Sequence, residues 1–129
     1  YPYGCLEQTT SSGFPQLFVK NLLPMDAEQK REVESNIKAT LDKLKTFQLG
    51  NGSFSYWPGQ SSYDSWGNNY AGHFILEAEK QGYTLPINMK KRWLKGQKRL
   101  AKEWIPKGYE NERYRYFRNR GWELTQAYR

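Results

Sequence analysis

A regular apolar repeat in the first half of the chain is the feature that most constrains its fold. The repeat has helical spacing, with members three or four residues apart: Val33, Ile37, Leu41, Leu44 and Phe47. Asp26 is a favourable N-cap, and Gln29 occupies the position of a capping-box partner. Gly50 is predicted as the C-cap, with Asn51-Gly52 turning the chain beyond it. The sequence therefore predicts a long amphipathic helix that buries one face.

Three further segments have helical patterns. The first runs from about residue 5 to 23, and Pro15 predicts a break before its apolar second half. The second runs from about 65 to 81, followed by a glycine suited to the C′ position. The third begins near Pro86, close to the position where proline is favoured at a helix start. Helices joined in sequence in this way predict an all-α fold of antiparallel helix pairs.

The connecting segments differ from one another. Residues 48–62 combine glycines with Phe, Tyr and Trp, which predicts an ordered loop packed by its rings. Residues 109–120 alternate Tyr with Arg and Glu and lack β-branched side chains, so a polar, partly irregular link is favoured over a strand. A last helix is predicted to begin near Gly121.

The charge is unevenly distributed along the 129 residues. Residues 1–89 hold seven Lys and Arg against nine Asp and Glu, whereas residues 90–129 hold thirteen against four. A basic stripe lies on the helix predicted after Pro86, at Lys91, Lys95, Lys98 and Lys102. Because the chain has no recognised nucleic-acid-binding module, we expect a solvated face or a contact with neighbouring domains, and no nucleic-acid partner. No run reaches the ~18 to 20 apolar residues that cross a bilayer, so no membrane contact is expected.

The only cysteine of the chain, Cys5, stands three residues before Gln8. If these residues form a turn that leads into a helix, the two side chains lie on one face. The Cys5 sulfur could then attack the side-chain carbonyl carbon of Gln8 and close a thioester with loss of ammonia. The alternative is a buried apolar Cys5 beside a surface Gln8, because this spacing also arises by chance. A cysteine nucleophile activated by His73 is a third interpretation, without sequence evidence that the two meet.

Three motifs together resemble one protein family. Residues 1–8 read Tyr-Pro-Tyr-Gly-Cys-Leu-Glu-Gln and closely resemble the thioester segment of bacterial alpha-2-macroglobulins. The segment Phe-Gln … Asn-Gly-Ser-Phe-Ser-Tyr-Trp-Pro-Gly at 47–59 and the segment Tyr-Ala-Gly-His-Phe-Ile-Leu-Glu-Ala at 70–78 have close counterparts in the same family. They occur in the family's order, and a looser resemblance covers essentially the whole chain.

The resemblance implies that residues 1–129 are a partial thioester-containing, complement-like domain, part of an α/α toroid excised from a larger multidomain protein. It implies a protease trap that is exported to the periplasm, cell surface or extracellular space. A lysine amine of the attacking protease would be acylated at Gln8 while Cys5 leaves as thiolate. This chemistry is single-use, so the protein would be an inhibitor and not an enzyme, and it needs no cofactor.

Further site residues follow from the same resemblance. Tyr1, Tyr3 and Trp57 are candidates for shielding the thioester from water, with ordinary core packing as the alternative for each. In some complement components a histidine attacks the thioester, but it lies on a later loop, and His73 falls inside a predicted helix. We therefore expect direct attack by amines. No metal site is expected, because one Cys and one His cannot supply the ligands of structural zinc.

Two other classes of protein remain as alternatives. The first is an α/α-toroid enzyme such as a terpene cyclase or a prenyltransferase subunit, because the Gln-Leu-Gly-Asn-Gly-Ser-Phe segment at 48–54 fits such a fold. The chain lacks the Asp-x-Asp-Asp motif and the zinc ligands of those enzymes, which makes this a weaker interpretation. The second is an inert helical interaction module. The sequence opens on Tyr1 without Met, and we expect it to be a segment of a longer chain.

Overall fold

The computed structural model describes residues 4–104. This part of the chain contains five helices and no named strand, so the all-α prediction is confirmed. The helices are α1 (Leu6–Gly13), α2 (Gln16–Leu22), α3 (Ala27–Leu44), α4 (Ser65–Lys80) and α5 (Met89–Trp104). None of these helices combines the length and the apolar character that crossing a bilayer requires. The predicted link at 109–120 and the last predicted helix lie outside the described residues.

The break expected near Pro15 separates α1 from α2. Phe14 keeps a helical backbone conformation and donates its N–H to the carbonyl of Thr10 over 2.9 Å, which ends α1. Pro15 has no N–H to continue that hydrogen-bond ladder. The short α2 then restarts at Gln16 and carries Leu17, which is fully buried. The interruption therefore turns Leu17 into the core, whereas Leu22 and Leu23 at the end of the segment stay exposed.

The start of α3 follows its sequence signals, but its end does not. The Asp26 side chain accepts the backbone N–H of Gln29 over 2.8 Å, and the Gln29 side chain accepts the Asp26 N–H over 3.1 Å. This reciprocal pair is the predicted capping box. Gly50 as the C-cap was wrong, because α3 ends at Leu44 with Lys45 as its cap. A turn then carries Phe47 into the core, and this tertiary contact draws the chain away from the helix axis.

The later helices agree more closely with the predicted bounds. The α4 helix ends at Lys80, and Gly82 adopts the left-handed conformation expected of a C′ glycine, with φ of 97°. The α5 helix begins at Met89, a few residues after Pro86, because residues 86–88 form a turn first. In that turn Met89 donates its N–H to the Pro86 carbonyl over 3.2 Å, and Asn88 has a positive φ of 64°.

The hydrophobic core lies where α1, α3 and α4 meet, with α2 packed on α3 and α5 packed on α4. Its fully buried apolar side chains come from all of these elements and from the loop after α3: Leu6, Leu17, Ile37, Leu44, Phe47, Phe54, Phe74, Ile75 and Met89. Each such side chain contributes about 1.5–3 kcal/mol through its removal from water. The first residue of α1 is therefore anchored in the centre of the core.

The aromatic loop between α3 and α4 is ordered, as its composition predicts. Two isolated antiparallel bridges join Gln48 to Phe54 and Ser55 to Tyr63. The Gln48 side chain donates to the carbonyls of Gly52 and Met89, over 2.9 and 3.1 Å. This loop is thus fastened to the beginning of α5 as well as to itself, and its position is determined by helices that follow it in sequence.

Candidate functional site

The pair Cys5 and Gln8 lies at the first turn of α1. Cys5 is the N-cap residue, with an extended backbone, and Gln8 is the third residue of the helix. The Gln8 side-chain oxygen accepts the backbone N–H of Cys5 over 3.0 Å. The Cys5 side chain in turn faces the backbone N–H of Gln8, which completes a capping box. The cap folds the Gln8 amide back over Cys5, so the two side chains are brought to the same side of the turn.

The two members of the pair differ in exposure. Cys5 is a free cysteine and is only 5% exposed. Gln8 is exposed, as is its neighbour Glu7. A buried sulfur next to an accessible amide carbonyl is the arrangement in which an external group can reach the carbonyl carbon while the sulfur stays protected from water.

Two elements pack against the turn and hold it in place. The Leu6 side chain is fully buried against α4, where a Cβ atom on Gly67 would lie 2.9 Å from Leu6 Cδ2. The backbone N–H of Leu6 donates to the carbonyl oxygen of Tyr56 over 2.8 Å. This N–H belongs to the first turn of the helix, so it has no partner within α1. The aromatic loop therefore supplies the hydrogen bond that fixes how α1 begins.

The Tyr56 side chain reaches the same turn. Its hydroxyl hydrogen-bonds to the Cys5 side chain, and this bond, together with the negative charge of a Cys5 thiolate, raises the pKa of Tyr56 to about 12. A phenol is protonated at neutral pH, so the hydroxyl can donate to the sulfur. Tyr56 thus holds the loop against the turn through both its backbone carbonyl and its side chain.

A groove lies on the other side of α1, between this helix and α3. Its volume is about 440 Å³, and it is lined by polar side chains and one alanine: Gln8, Thr9, Ser12, Gln16, Asn36, Ala39, Thr40 and Lys43. Gln8 therefore belongs both to the capping box with Cys5 and to the wall of an open groove. The residue that would supply the acyl carbon of a thioester thus lines the groove.

The remaining predicted site residues lie in different surroundings. Trp57 is 44% exposed, and its ring packs edge-on against the Tyr56 ring, with centroids 5.6 Å apart. His73 is exposed on α4 and makes an edge contact with the Phe14 ring, at 5.0 Å between centroids. Tyr1 and Tyr3 lie outside the described residues. Among residues 4–104 there is no cluster of three His, Cys, Asp or Glu side chains that could hold a metal ion.

Sequence reasoning overlooked two residues that matter at this site. Tyr56 was passed over in favour of its neighbour Trp57, and only its place in the aromatic loop could have drawn attention to it. Asn68 is 1% exposed on α4, and its side-chain oxygen accepts the backbone N–H of Phe54 over 2.8 Å. That bond orders the loop two residues before Tyr56. A polar residue within a helical pattern carries no sequence signal for such a role.

The geometry suits acyl chemistry at Gln8. Attack on the amide carbon places negative charge on the side-chain oxygen, and the Cys5 N–H already lies 3.0 Å from that oxygen. A donor held in place before the reaction stabilises the charge as it develops. A sulfur leaving that carbon would meet the Tyr56 hydroxyl, which hydrogen-bonds to the Cys5 side chain. The turn therefore offers a donor for each of the two atoms on which charge accumulates.

Comparison with known proteins identifies the family of this chain. The family described as the A-macroglobulin TED domain matches residues 1–120. The alpha-2-macroglobulin of Escherichia coli K12 is 33% identical over 94 residues, which is 68% of this chain and 6% of that relative.

Two solved structures are also similar. The trypsin-activated alpha-2-macroglobulin of E. coli superposes with a TM-score of 0.63 at 27% identity, over 81% of this chain and 7% of that one. The Salmonella alpha-2-macroglobulin reacted with methylamine gives a TM-score of 0.66 at 30% identity, over 84% and 7%. These neighbours confirm the predicted fold class, helix pairs of an α/α toroid. The chain spans less than a tenth of each of these relatives. By the family match over most of its length, the chain belongs to the A-macroglobulin TED domain family.

Proposed function

We propose that Cys5 and Gln8 form an internal thioester that acylates amines, and that this chain is a segment of a longer protease-trapping protein. The observation that carries the proposal is the capping box at the start of α1. The Gln8 carbonyl oxygen lies 3.0 Å from the Cys5 N–H, so the amide is folded over the cysteine whose sulfur would attack it.

The bond would form and react in two balanced steps. In the first, the Cys5 sulfur attacks the Gln8 carbonyl carbon, a C–S bond replaces the C–N bond, and ammonia leaves. In the second, an amine attacks the same carbon, a C–N bond forms, and the sulfur leaves as thiolate and recovers a proton. The product is a substituted amide at Gln8 with a free Cys5 thiol. Each molecule reacts once, so the protein would act as an inhibitor and not as a turnover enzyme.

The comparisons support the identity of the target. One relative was solved after activation by trypsin and another after reaction with methylamine, a protease and a small amine respectively. In this protein we propose that the acceptors are lysine amines of proteases, and that other domains of the longer chain present the thioester to them. We propose that the protein acts in the periplasm, at the cell surface or outside the cell, where it would meet such proteases. Tyr1, Tyr3 and Trp57 remain candidates for shielding the bond.

Intact mass spectrometry of the full-length protein that carries this segment tests the proposal. The native protein should be lighter than its sequence by one ammonia, and methylamine should add to Gln8 while one Cys5 thiol becomes titratable. Cys5→Ala should abolish both signals and the covalent capture of trypsin. Glu7→Gln is the matched control, because it alters an exposed neighbour and leaves the capping box intact. Capture of trypsin that persists in the Cys5→Ala protein would refute the mechanism, and a full-mass native protein inert to methylamine would favour the inert helical module.

A further inference from the structure

The groove between α1 and α3 has a chemistry that suits one class of acceptor. We propose that it is the docking site of the acceptor amine, and that it receives the polar chain that carries the amine to Gln8. The proposal rests on the thioester function above and adds to it the site and the class of substrate: a primary amine on an extended polar chain, such as a lysine within a polar peptide segment.

The Cys5–Gln8 pair is open on the side of the groove. Among residues 4–104, Tyr56 lies against the turn through the hydrogen bond that its carbonyl accepts from Leu6, and the Leu6 side chain packs against Gly67 on α4. Cys5 is only 5% exposed, so the pair cannot be approached over the sulfur. Gln8 is exposed and lines the groove. An incoming nucleophile therefore reaches the acyl carbon from the α1–α3 side.

The side chains that line the groove are mostly polar. Ser12 donates its hydroxyl proton to the Thr9 carbonyl over 2.8 Å, and Thr40 donates its own to the Asn36 carbonyl over 3.0 Å. A hydroxyl has a single proton, so each of these oxygens can only accept further hydrogen bonds. The side-chain amide oxygens of Gln16 and Asn36 add further acceptors to the same walls. The groove thus presents several acceptors beside the donors of its two amide groups and of Lys43, and the acceptors match the N–H groups of an amine and of the peptide that bears it.

The groove is large enough for a lysine side chain. The volume of about 440 Å³ lies within the range of about 300–1,000 Å³ typical of sites for small ligands. Methylamine needs almost none of this space, whereas a lysine side chain with its flanking backbone needs much of it. The groove should therefore affect the reaction of a lysine peptide and have no effect on that of methylamine.

Ala39 offers a direct test, because it is exposed, lines the groove and belongs to α3. In the full-length protein, Ala39→Trp should lower the rate constant for acylation of N-acetyl-Gly-Lys-Gly-amide by about tenfold or more, since shape discrimination of this kind typically reaches that size. The rate constant for methylamine should stay unchanged. Ser12→Trp narrows the groove from the opposite wall and should give the same pattern. Ser35→Trp is the control, an exposed position of α3 outside the lining.

The outcomes separate the two proposals. If the full-length protein does not incorporate methylamine, both the thioester proposal and the docking proposal are refuted. If it incorporates methylamine while Ala39→Trp and Ser12→Trp leave the ratio of peptide to methylamine rate constants unchanged, that result refutes the docking proposal alone. An equal loss of the peptide reaction in Ser35→Trp also refutes it, because the effect would then not depend on the groove. Helical circular dichroism of each variant checks that the fold is retained.

Discussion

Replacing Asn68 with Ala should remove the hydrogen bond that holds the aromatic loop against α4. The Asn68 side-chain oxygen accepts two hydrogen bonds, from the Phe54 backbone N–H over 2.8 Å and from the Trp93 indole N–H over 3.2 Å. Its side-chain nitrogen donates to Gln97 over 2.9 Å. Asn68 is 1% exposed, and the two N–H groups that donate to its side-chain oxygen are also buried. The substitution therefore leaves two buried N–H groups without a partner.

The cost follows from these two donors. A buried donor deprived of its partner costs about 1–3 kcal/mol, so the pair costs about 2–6 kcal/mol, and a water entering the space left by the amide would bring the value toward the lower end. We expect a loss of about 3 kcal/mol in the free energy of unfolding. Asn68→Asp keeps an oxygen in place for both donors, but it buries a carboxylate, and Gln97 can donate to the second oxygen only by giving up its bond to Asn69. That variant should therefore recover only part of the lost stability.

Urea unfolding followed by helical circular dichroism measures the difference, with an unchanged slope indicating that the same surface is exposed in each variant. Asn69→Ala is the matched control, because Asn69 is half-buried and its side-chain oxygen accepts only the Gln97 amide, over 2.9 Å. If Asn68→Ala loses no more stability than Asn69→Ala, the two buried N–H groups do not carry the cost assigned to them. Because the loop carries Tyr56, Asn68→Ala should also slow closure of the thioester, measured as the fraction of protein lacking one ammonia.

Two further predictions test the packing and the electrostatics of the site. A Cβ atom on Gly72 would lie 1.9 Å from the Trp93 ring, so Gly72→Ala should destabilise the fold by about 1–3 kcal/mol, whereas Gly50→Ala, with open space around it, should be neutral in the same urea titration. Tyr56 has a pKa of about 12 against an ordinary value of 10.0, so its contribution to stability is complete below pH 10 and is lost as the pH rises through 12. The stability difference between the protein with a free Cys5 thiol and its Tyr56→Phe variant should therefore narrow over that interval, and a constant difference would contradict the hydrogen bond to Cys5.

Local signals predicted the helices well where a helix is determined by its own residues. The Asp26 and Gln29 capping box, the break at Pro15 and the C′ role of Gly82 all depend on neighbours within a few residues. The end of α3 was predicted wrongly for the opposite reason. Its last turn gives way because Phe47 enters a core made by helices that come later in the chain, and a local pattern holds no information about that contact.

The candidate site divides in the same way. The spacing of Cys5 and Gln8 is a local property, since one helical turn places them side by side wherever that turn forms, and the resemblance of residues 1–8 to a thioester segment predicts their chemistry. The surroundings of the pair are not local. Tyr56, which meets the turn through its carbonyl and its hydroxyl, is about fifty residues away in sequence.

By itself, then, the sequence determined the helical class of the fold, the capping box that begins α3 and the candidate pair at the head of α1. Only the tertiary structure decided what covers the sulfur, which side of Gln8 is open and what lines the groove there. The physical reason is distance along the chain. Caps and turns involve atoms a few bonds apart, whereas the loop bearing Tyr56 and the wall formed by α3 reach the pair only after the core around Leu6 has packed.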